Sequence, residues 1–464
     1  MAKSSEAKVA KAPAVERMGH NISGSVERWF PDPFLFAVIL LFIVYVVAMI
    51  VQGSNPYECM QYMYQGFWGF LSFAMQMCLI LLLGYAVAFH PAVGRLIKRL
   101  CGLPNNGKQA AALVVLISCI FSWVNWGLGL VVGALMAREM AVTAHERGMA
   151  VHYPVLCAAG YSGLGLIWHW GLSGSAPLLS NVPGHFLEKI IGLVPANETI
   201  FSSYALWNSL LILVFAMIVV YLLHPRSAER CRGIEHYAPE LLKREEVVEK
   251  PKLINVADKI ENNRWLAIIV VCLGIGSMVW WFGTKGFMGG LNLNSVNFCF
   301  IIIGLMLYRN PIAYAKALYR GASAVGGIIL QFPFYAGIQG VMKFSGLAHT
   351  MAGGLAKLAT PRMMPIIAWL IGGVINLFIP SGGGEWMTVG DVVAEASQAI
   401  GVPAGQTIIA YAAGDAWTNL FNPFWAIALL AITQVKARDM FGYCIAILLL
   451  AIIPYALGLT FIPY

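Results

Sequence analysis

Charge is the scarcest thing in this sequence. Only 11% of its 464 residues are Asp, Glu, Lys or Arg, against 59% hydrophobic, and the mean hydropathy is +0.72. Ordinary soluble domains carry about a quarter charged residues, so a soluble enzyme or binding module is excluded. Paired cysteines are missing too. The nine cysteines are scattered, mostly inside apolar runs (Cys78, Cys119, Cys157, Cys272, Cys299, Cys444), with no CxxC pair. That excludes a disulfide framework and a cysteine metal site, and leaves them as small buried hydrophobes. The N-terminal "MAKSSEAKVAKAPAVERMGHNISGSVERWF" lacks an apolar h-region and a cleavage site. Residues 1–32 therefore read as a cytoplasmic tail rather than a signal peptide.

What is there is hydrocarbon-compatible. Apolar runs of roughly 20 residues, enough for a membrane core of about 30 Å, fall at 33–52, 66–90, 203–223, 264–283, 290–308, 321–342 and 440–461. Longer, glycine-broken apolar tracts occupy 109–137, 152–182, 362–390 and 404–433. The net charge of +8 does not imply a nucleic-acid partner, because the Lys and Arg residues sit in short loops beside these runs. Such placement is the positive-inside pattern of a protein whose partner is the bilayer.

Loop charges set the expected topology. Lys3, Lys8, Lys11, Arg17 and Arg28 place the N-terminus inside, and loop 53–65, free of Lys and Arg, falls outside. "GRLIKRLCGLPNNGK" and "AREMAVTAHERG" are both basic. If both lie inside, tract 109–137 enters and leaves by one face, as a re-entrant hairpin. Continuing the walk puts 183–202 outside, a linker at 224–263 inside, 284–292 outside, "YRNPIAYAKALYR" inside and 343–361 outside. Tract 362–390 then becomes a second hairpin entered from the opposite face.

An internal repeat agrees with the walk. A shift of about 255 residues lays "GFWGFLSFAMQM" over "GASAVGGIILQF" and "VNWGLG" over "IPSGGG", and nearly the same shift lays "CAAGYSG" over "YAAGDAW". Paired loops take opposite sides. The expected architecture is an all-α polytopic membrane protein of two inverted-topology repeats, 33–223 and 264–464, each with a re-entrant hairpin and a broken helix. Secondary transporters built this way bind their cargo near the midplane, where broken helices of the two halves meet.

The broken tracts carry the candidate site. In "PSGGGEW" the backbone at Gly382, Gly383 and Gly384 is bared beside the Ser381 hydroxyl, and Pro380 removes a donor. Bare backbone at membrane depth costs several kcal/mol per group unless it faces protein or a watery cavity, so it is being presented to something. Helix N-termini at such a break suit a carboxylate. "SWVNWGLG" offers Asn125 beside Gly127 in the other half, "GLSGSAP" offers Ser173 and Ser175, and "AAGDAWTNLFNPFW" offers Asn419, with Thr418 beside Asp415. No Lys or Arg lies deep in these tracts, while Trp123, Trp126, Trp417 and Phe421 are available to cover an apolar tail. A small, monovalent, partly oily anion is the implied cargo. Asp415 and Glu385 would repel it, so a coupling cation or proton is their natural partner. No catalytic residue, resident metal or cofactor is expected, apart from a coupling sodium ion or proton.

Bland readings exist for each feature. Glycines and Ser-x-Ser in membrane helices also serve close helix packing, the Trp residues also anchor at interfaces, and His169 is equally a packed polar residue. For "PSGGGEW" three glycines after a proline exceed what packing needs.

The combination of "VNWGLGLVVGA", "SGSAPLL", "QFPFYAGIQG", "PSGGGEW" and "NPFWA" resembles the short-chain fatty acid transporter family of bacterial acetoacetate and butyrate uptake permeases. The resemblance runs from "RWFPDPFLFAVIL" to "GYCIAILLLAIIPYALGLTF". It implies cation- or proton-coupled uptake of a monocarboxylate across the bacterial inner membrane. Through a superfamily that includes sodium/dicarboxylate symporters, it also implies a homodimer with a scaffold and a moving transport domain. Tip residues that hold carboxylate and sodium in those relatives fall by resemblance on Asn125 and on Ser381 with Gly382. The relatives' Ser-Asn-Thr tip triplets are absent here. Two other functions remain to be weighed: a passive anion channel, since broken helices also line pores, and an intramembrane serine protease, from "GLSG" with His169 and His185 nearby.

Overall fold

In hydrocarbon each apolar run must satisfy its own backbone groups, and the helix is the local way to do so. The computed structural model describes residues 13–29, 33–69, 71–242 and 255–464. Lys3, Lys8 and Lys11 of the expected tail and residues 243–254 of the expected linker lie outside them. The described residues form helices joined by turns and loops, without a strand. Among the described residues seven helices are long and apolar enough to cross a membrane: Leu71–Ala88, Gly107–Val124, Trp126–Glu146, Ser203–Leu223, Arg264–Lys285, Val325–Phe344 and Ala437–Phe461. Shorter apolar helices add Ala37–Gln52, Leu293–Tyr308 and Met364–Asn376. The chain is an all-α, multi-pass membrane protein. Part of the expected tail is also helical, since Ala14–Trp29 packs along Ala437–Phe461 and Glu16 pairs with Arg230 at 2.7 Å.

All four glycine-broken tracts are broken in the structure. The first hairpin consists of a leading arm, Gly107–Val124, and a trailing arm, Trp126–Glu146, with extended backbone only at Asn125. Gly129 packs on Ser122 and Gly133 on Ser118, a pairing that only antiparallel arms produce. At its base Arg147 Nη1 donates to the carbonyls of Gly102 and Pro104 at 3.2 and 3.0 Å, so both ends of the hairpin lie at one end of the molecule. Each arm is nevertheless long enough to cross hydrocarbon. The second hairpin has a leading arm, Met364–Asn376, and a trailing arm, Gly382–Ala399, that runs past the expected boundary at 390.

Each hairpin is followed by a broken helix. The first is Tyr153–Leu166, a 3-10 turn Trp168–Trp170 and a short helix Ser175–Ser180. The second is Ala404–Thr418, a 3-10 turn Phe424–Ala426 and a helix Ile427–Thr433. Both leading arms lie alongside their broken helices at the same spacing. Ser118 Oγ donates to Gly160 O at 2.6 Å and Asn376 Nδ2 to Thr418 Oγ1 at 2.9 Å, each pair 42 residues apart.

Loops sort into two groups. At one end the hairpin base meets His224, Asn310 Nδ2 donates to Asn262 Oδ1 at 3.0 Å, and His152 Nε2 meets the Tyr443 hydroxyl at 2.8 Å. At the other, Gln52 Nε2 donates to Thr350 Oγ1 at 2.6 Å, Gln398 to the carbonyl of Ile190, and the Tyr464 hydroxyl to Glu198 O at 2.8 Å.

Candidate site at the hairpin tips

The first tip is hooked onto the first helix break. Asn125 is buried and caps the trailing arm, its Oδ1 accepting from Leu128 N–H at 2.9 Å, while its Nδ2 has no partner. The N–H of Trp126 donates to Ser173 Oγ at 2.9 Å, and Leu172 N–H donates to Trp123 O at 2.8 Å. Ser175 is buried with its hydroxyl unpartnered. Gly127 is spoken for by packing, because it lies against the backbone of Ile80 and Leu81.

Ser381 caps the second tip, its Oγ accepting from Gly384 N–H at 3.2 Å. Gly382 lies against the rings of His169 and Trp168, and Gly383 against Phe73 and Leu179. Side chains at either position would drive into those groups, which is the local reason for glycine here. The carbonyl of Gly384 accepts from Gln339 Nε2 at 3.1 Å.

Behind this tip lies a sealed cluster of ionisable groups. Glu385, in the first turn of the trailing arm, is fully buried with neither carboxylate oxygen hydrogen-bonded. It faces Asp415 and the Tyr411 hydroxyl, which stand one turn apart on the second broken helix. Asp415 Oδ2 touches His169 Nδ1, and His169 Nε2 accepts from Ala176 N–H at 3.0 Å. Deeper in the second break, Asn376 Nδ2 donates to Asp415 O, Thr418 Oγ1 and Asn419 Oδ1 at 2.8, 2.9 and 3.0 Å. The Tyr161 hydroxyl donates to the carbonyls of Asn419 and Asn422, both at 3.0 Å.

Aromatic rings wall the space between the tips. Trp168 stacks on His169 with ring centres 4.2 Å apart, Trp126 meets Trp168 and Trp425 edge-on at 6.5 and 5.0 Å, and Phe332 meets Phe424 at 5.5 Å. Trp123 and Trp417 serve elsewhere, Trp123 against Phe201 and Trp417 through Nε1 to Leu448 O at 2.8 Å.

The expected site residues thus fall into three neighbouring groups. Ser381, Gly382, Gly383 and Gly384 come together with Glu385 and Asp415; Asn125 comes together with Ser173; Thr418 joins Asn419. Three contributors escaped the sequence: His169 as the partner of Asp415, Tyr411, and Asn376. Tyr411 stood four residues before Asp415 on the same helix face, and Asn376 was a lone polar residue in an apolar arm, both signals legible in hindsight. His169 carried no local signal. The serine-protease geometry does not form, since Ser173 Oγ is taken by Trp126 N–H and both His169 nitrogens are turned to Ala176 and Asp415. His185 is engaged with Gly192 O at 2.9 Å.

Buried helix breaks around unpartnered polar groups, in a multi-pass helical protein, are shared by membrane transporters and channels. The family model for the short chain fatty acid transporter matches residues 14–462, and the chain belongs to that family. A relative from Escherichia coli K12, provisionally named a short-chain fatty acid transporter, is 35% identical over 448 residues, covering 96% of this chain and 99% of that protein. Another of the same provisional name, from Haemophilus influenzae, is 32% identical over 457 residues, covering 97% and 100%. Family and relatives are transporters, and the chain is not an enzyme. Two solved structures align over most of its length at 15% identity. They are the YdaH transporter of Alcanivorax borkumensis, described as having an unusual topology (TM-score 0.47, covering 92% of this chain and 98% of that one), and MtrF of Neisseria gonorrhoeae, described with a class of antimetabolite efflux pumps (TM-score 0.44, 94% and 97%). Likeness at that level carries no weight here.

Proposed function

We propose that this protein is a secondary carrier that takes up small monocarboxylates such as acetate, butyrate or acetoacetate by alternating access, coupled to a cation or proton. The observation that carries the reading is the junction of the tips. Two hairpin tips and two helix breaks converge on buried, unpartnered polar groups (Asn125 Nδ2, Ser175 Oγ, Glu385, Asn419 Nδ2) walled by aromatic rings. The amide N–H groups of Gly382 and Gly383 begin a helix, where partial positive charge attracts a carboxylate, and Ser381 adds a hydroxyl. Trp126, Trp168 and Phe332 suit a short alkyl chain. With no Lys or Arg at the junction, a second carboxylate on the cargo would go unbalanced, which favours monocarboxylates.

In this reading the halves are inverted repeats, a view supported by the equal 42-residue spacing of arm and broken helix in both. The hairpins are re-entrant, the N-terminus lies on the cytoplasmic side of the bacterial inner membrane, and a homodimer joins the scaffold domains while the transport domain moves. Units 33–223 and 264–464 are the two repeats, joined by the linker 224–263.

Counterflow tests the reading. Proteoliposomes preloaded with unlabelled butyrate should transiently concentrate labelled butyrate from outside, because a carrier exchanges bound cargo. Equilibration without an overshoot would mean a passive channel.

A further inference from the structure

We propose that the coupling ion is a proton, held by a relay of Glu385, Asp415, Tyr411 and His169 directly behind the second hairpin tip. The proposal rests on the carrier reading above and names what travels with its substrate.

Charge balance is the first argument. Glu385 and Asp415 face each other, both are sealed from solvent, and both oxygens of Glu385 lack a hydrogen bond. Two ionised carboxylates at close range in a water-excluded site cannot both persist without compensating cations. The titratable groups facing Glu385 are Asp415 and Tyr411 from the second broken helix, and Asp415 also meets His169 from the first. Gln339 of the helix Pro311–Phe344 reaches Gly384 O and Thr388 Oγ1 rather than the carboxylate. No Lys or Arg joins them. One proton held between the two carboxylates supplies the missing positive charge.

The second argument is the direction of His169. Its Nε2 accepts from Ala176 N–H, so its ring proton sits on Nδ1, which lies in contact with Asp415 Oδ2. A sodium ion requires a cage of inward-facing oxygens, and here an imidazole nitrogen stands against one of the carboxylate oxygens instead. Protons, in contrast, pass along a chain of carboxylate, hydroxyl and imidazole without any cage.

Position supplies the third. Gly382 packs on the His169 ring, so the tip that offers its amides to a carboxylate lies directly against the relay. Cargo brings one negative charge to the tip and the relay holds one proton. The carboxylates take the proton from water while the tip is open on one side and return it to water on the other, both standing ionised only while hydrated, with no other bond made or broken. The cycle moves no net charge.

The experiment uses the full chain in proteoliposomes and labelled acetoacetate at a pH where the acid is ionised, with protein-free vesicles measuring leakage of the neutral acid. Under one-proton symport an inward gradient of one pH unit supports about ten-fold accumulation, and an inward sodium gradient at matched pH supports none. Glu385→Gln, close in shape to the parent, should lower accumulation to the protein-free level while counterflow continues. Asp415→Asn should do the same, and His169→Gln should slow net uptake more than exchange. Accumulation driven by sodium alone, or full pH-driven accumulation in both Glu385→Gln and Asp415→Asn, overturns the proposal. Loss of counterflow in the parent protein itself would instead bring down the carrier reading on which it stands.

Discussion

The first hairpin is welded and the second is splayed. Arms 107–124 and 126–146 pack along their length through Ser118, Ser122, Gly129 and Gly133, and Gly133 also meets Gly160 of the broken helix backbone to backbone. Their turn is a single residue, Asn125. In the second hairpin five residues, 377–381, separate the arms, which touch chiefly near the turn, and the leading arm packs instead on the second broken helix. Packed cores switch between discrete arrangements rather than deform continuously. A hairpin bound backbone to backbone to its neighbours is therefore a poor mover, and one joined by a longer turn beside unpartnered carboxylates is a good one. The first hairpin is thus the anchor and the second a candidate gate.

Breaking the anchor should have the largest effect. A leucine at Gly133 must displace the Gly160 backbone and Ser118 at once, an overpacking cost of about 3 kcal/mol or more. Gly133→Leu should abolish the monodisperse peak of detergent-solubilised protein in size-exclusion chromatography. The matched change at the gate, Gly382→Ala, sets one methyl against the rings of His169 and Trp168 rather than against backbone, so folding should survive and transport fall. Equal loss of folding in both variants would erase the contrast.

At the tips, Ser381→Ala removes a hydrogen bond to bound carboxylate worth roughly 1.5–3 kcal/mol, which should raise the apparent KM about ten-fold or more while the protein remains folded. Asn125→Ala removes a helix cap worth about 1 kcal/mol along with any substrate contact. It should lower the melting temperature as well as affinity, and so should Ser381→Ala, whose Oγ also caps a helix. Unchanged transport in both variants would leave only packing roles at the two tips.

Depth is tested by labelling. Cysteines placed at 104 and 145 should react from the same face, and those at 58, 190 and 288 from the other, because the hairpin base is joined through Arg147. Reaction of 104 and 145 from opposite faces would end the hairpin assignment.

The smallest effect is a pH term at the anchor's foot. His224 sits under Gly107 with Nε2 accepting from His152 N–H at 3.0 Å, and burial pushes its pKa down to about 4. An unfolded histidine titrates near about 6.5, so the unfolded chain binds the extra proton between these values. Stability from this group is complete above the upper value and drains away as pH falls towards the lower. By pH 5 the loss is about 2 kcal/mol. Thermal unfolding at pH 7 and pH 5 should show it, and His224→Gln should remove that part of the difference.

How much of this was legible depends on the range of the interaction. The helix Ser203–Leu223 matches its apolar run, and both hairpin turns fall on the Asn and the Pro-Ser-Gly stretch that the chain displays, since helix and break are local. Gly127 shows a related limit: it packs on Ile80 and Leu81, and a glycine that admits a ligand and one that admits a neighbouring helix look the same along the chain. His169 was the larger miss. Only the 3-10 turn at Trp168–Trp170 swings its ring towards Asp415, and nothing near either residue announces the other.

The sequence by itself determined that this chain lives in a membrane, where it breaks its helices, and that no Lys or Arg enters those breaks, because hydrocarbon taxes every unpaired backbone group and every charge residue by residue. Only the tertiary structure decided that Glu385, Asp415, Tyr411 and His169 share one sealed space and that the first hairpin is the rigid one. Those outcomes depend on which arm packs on which helix, and packing partners are chosen by the shapes of surfaces far apart in the chain.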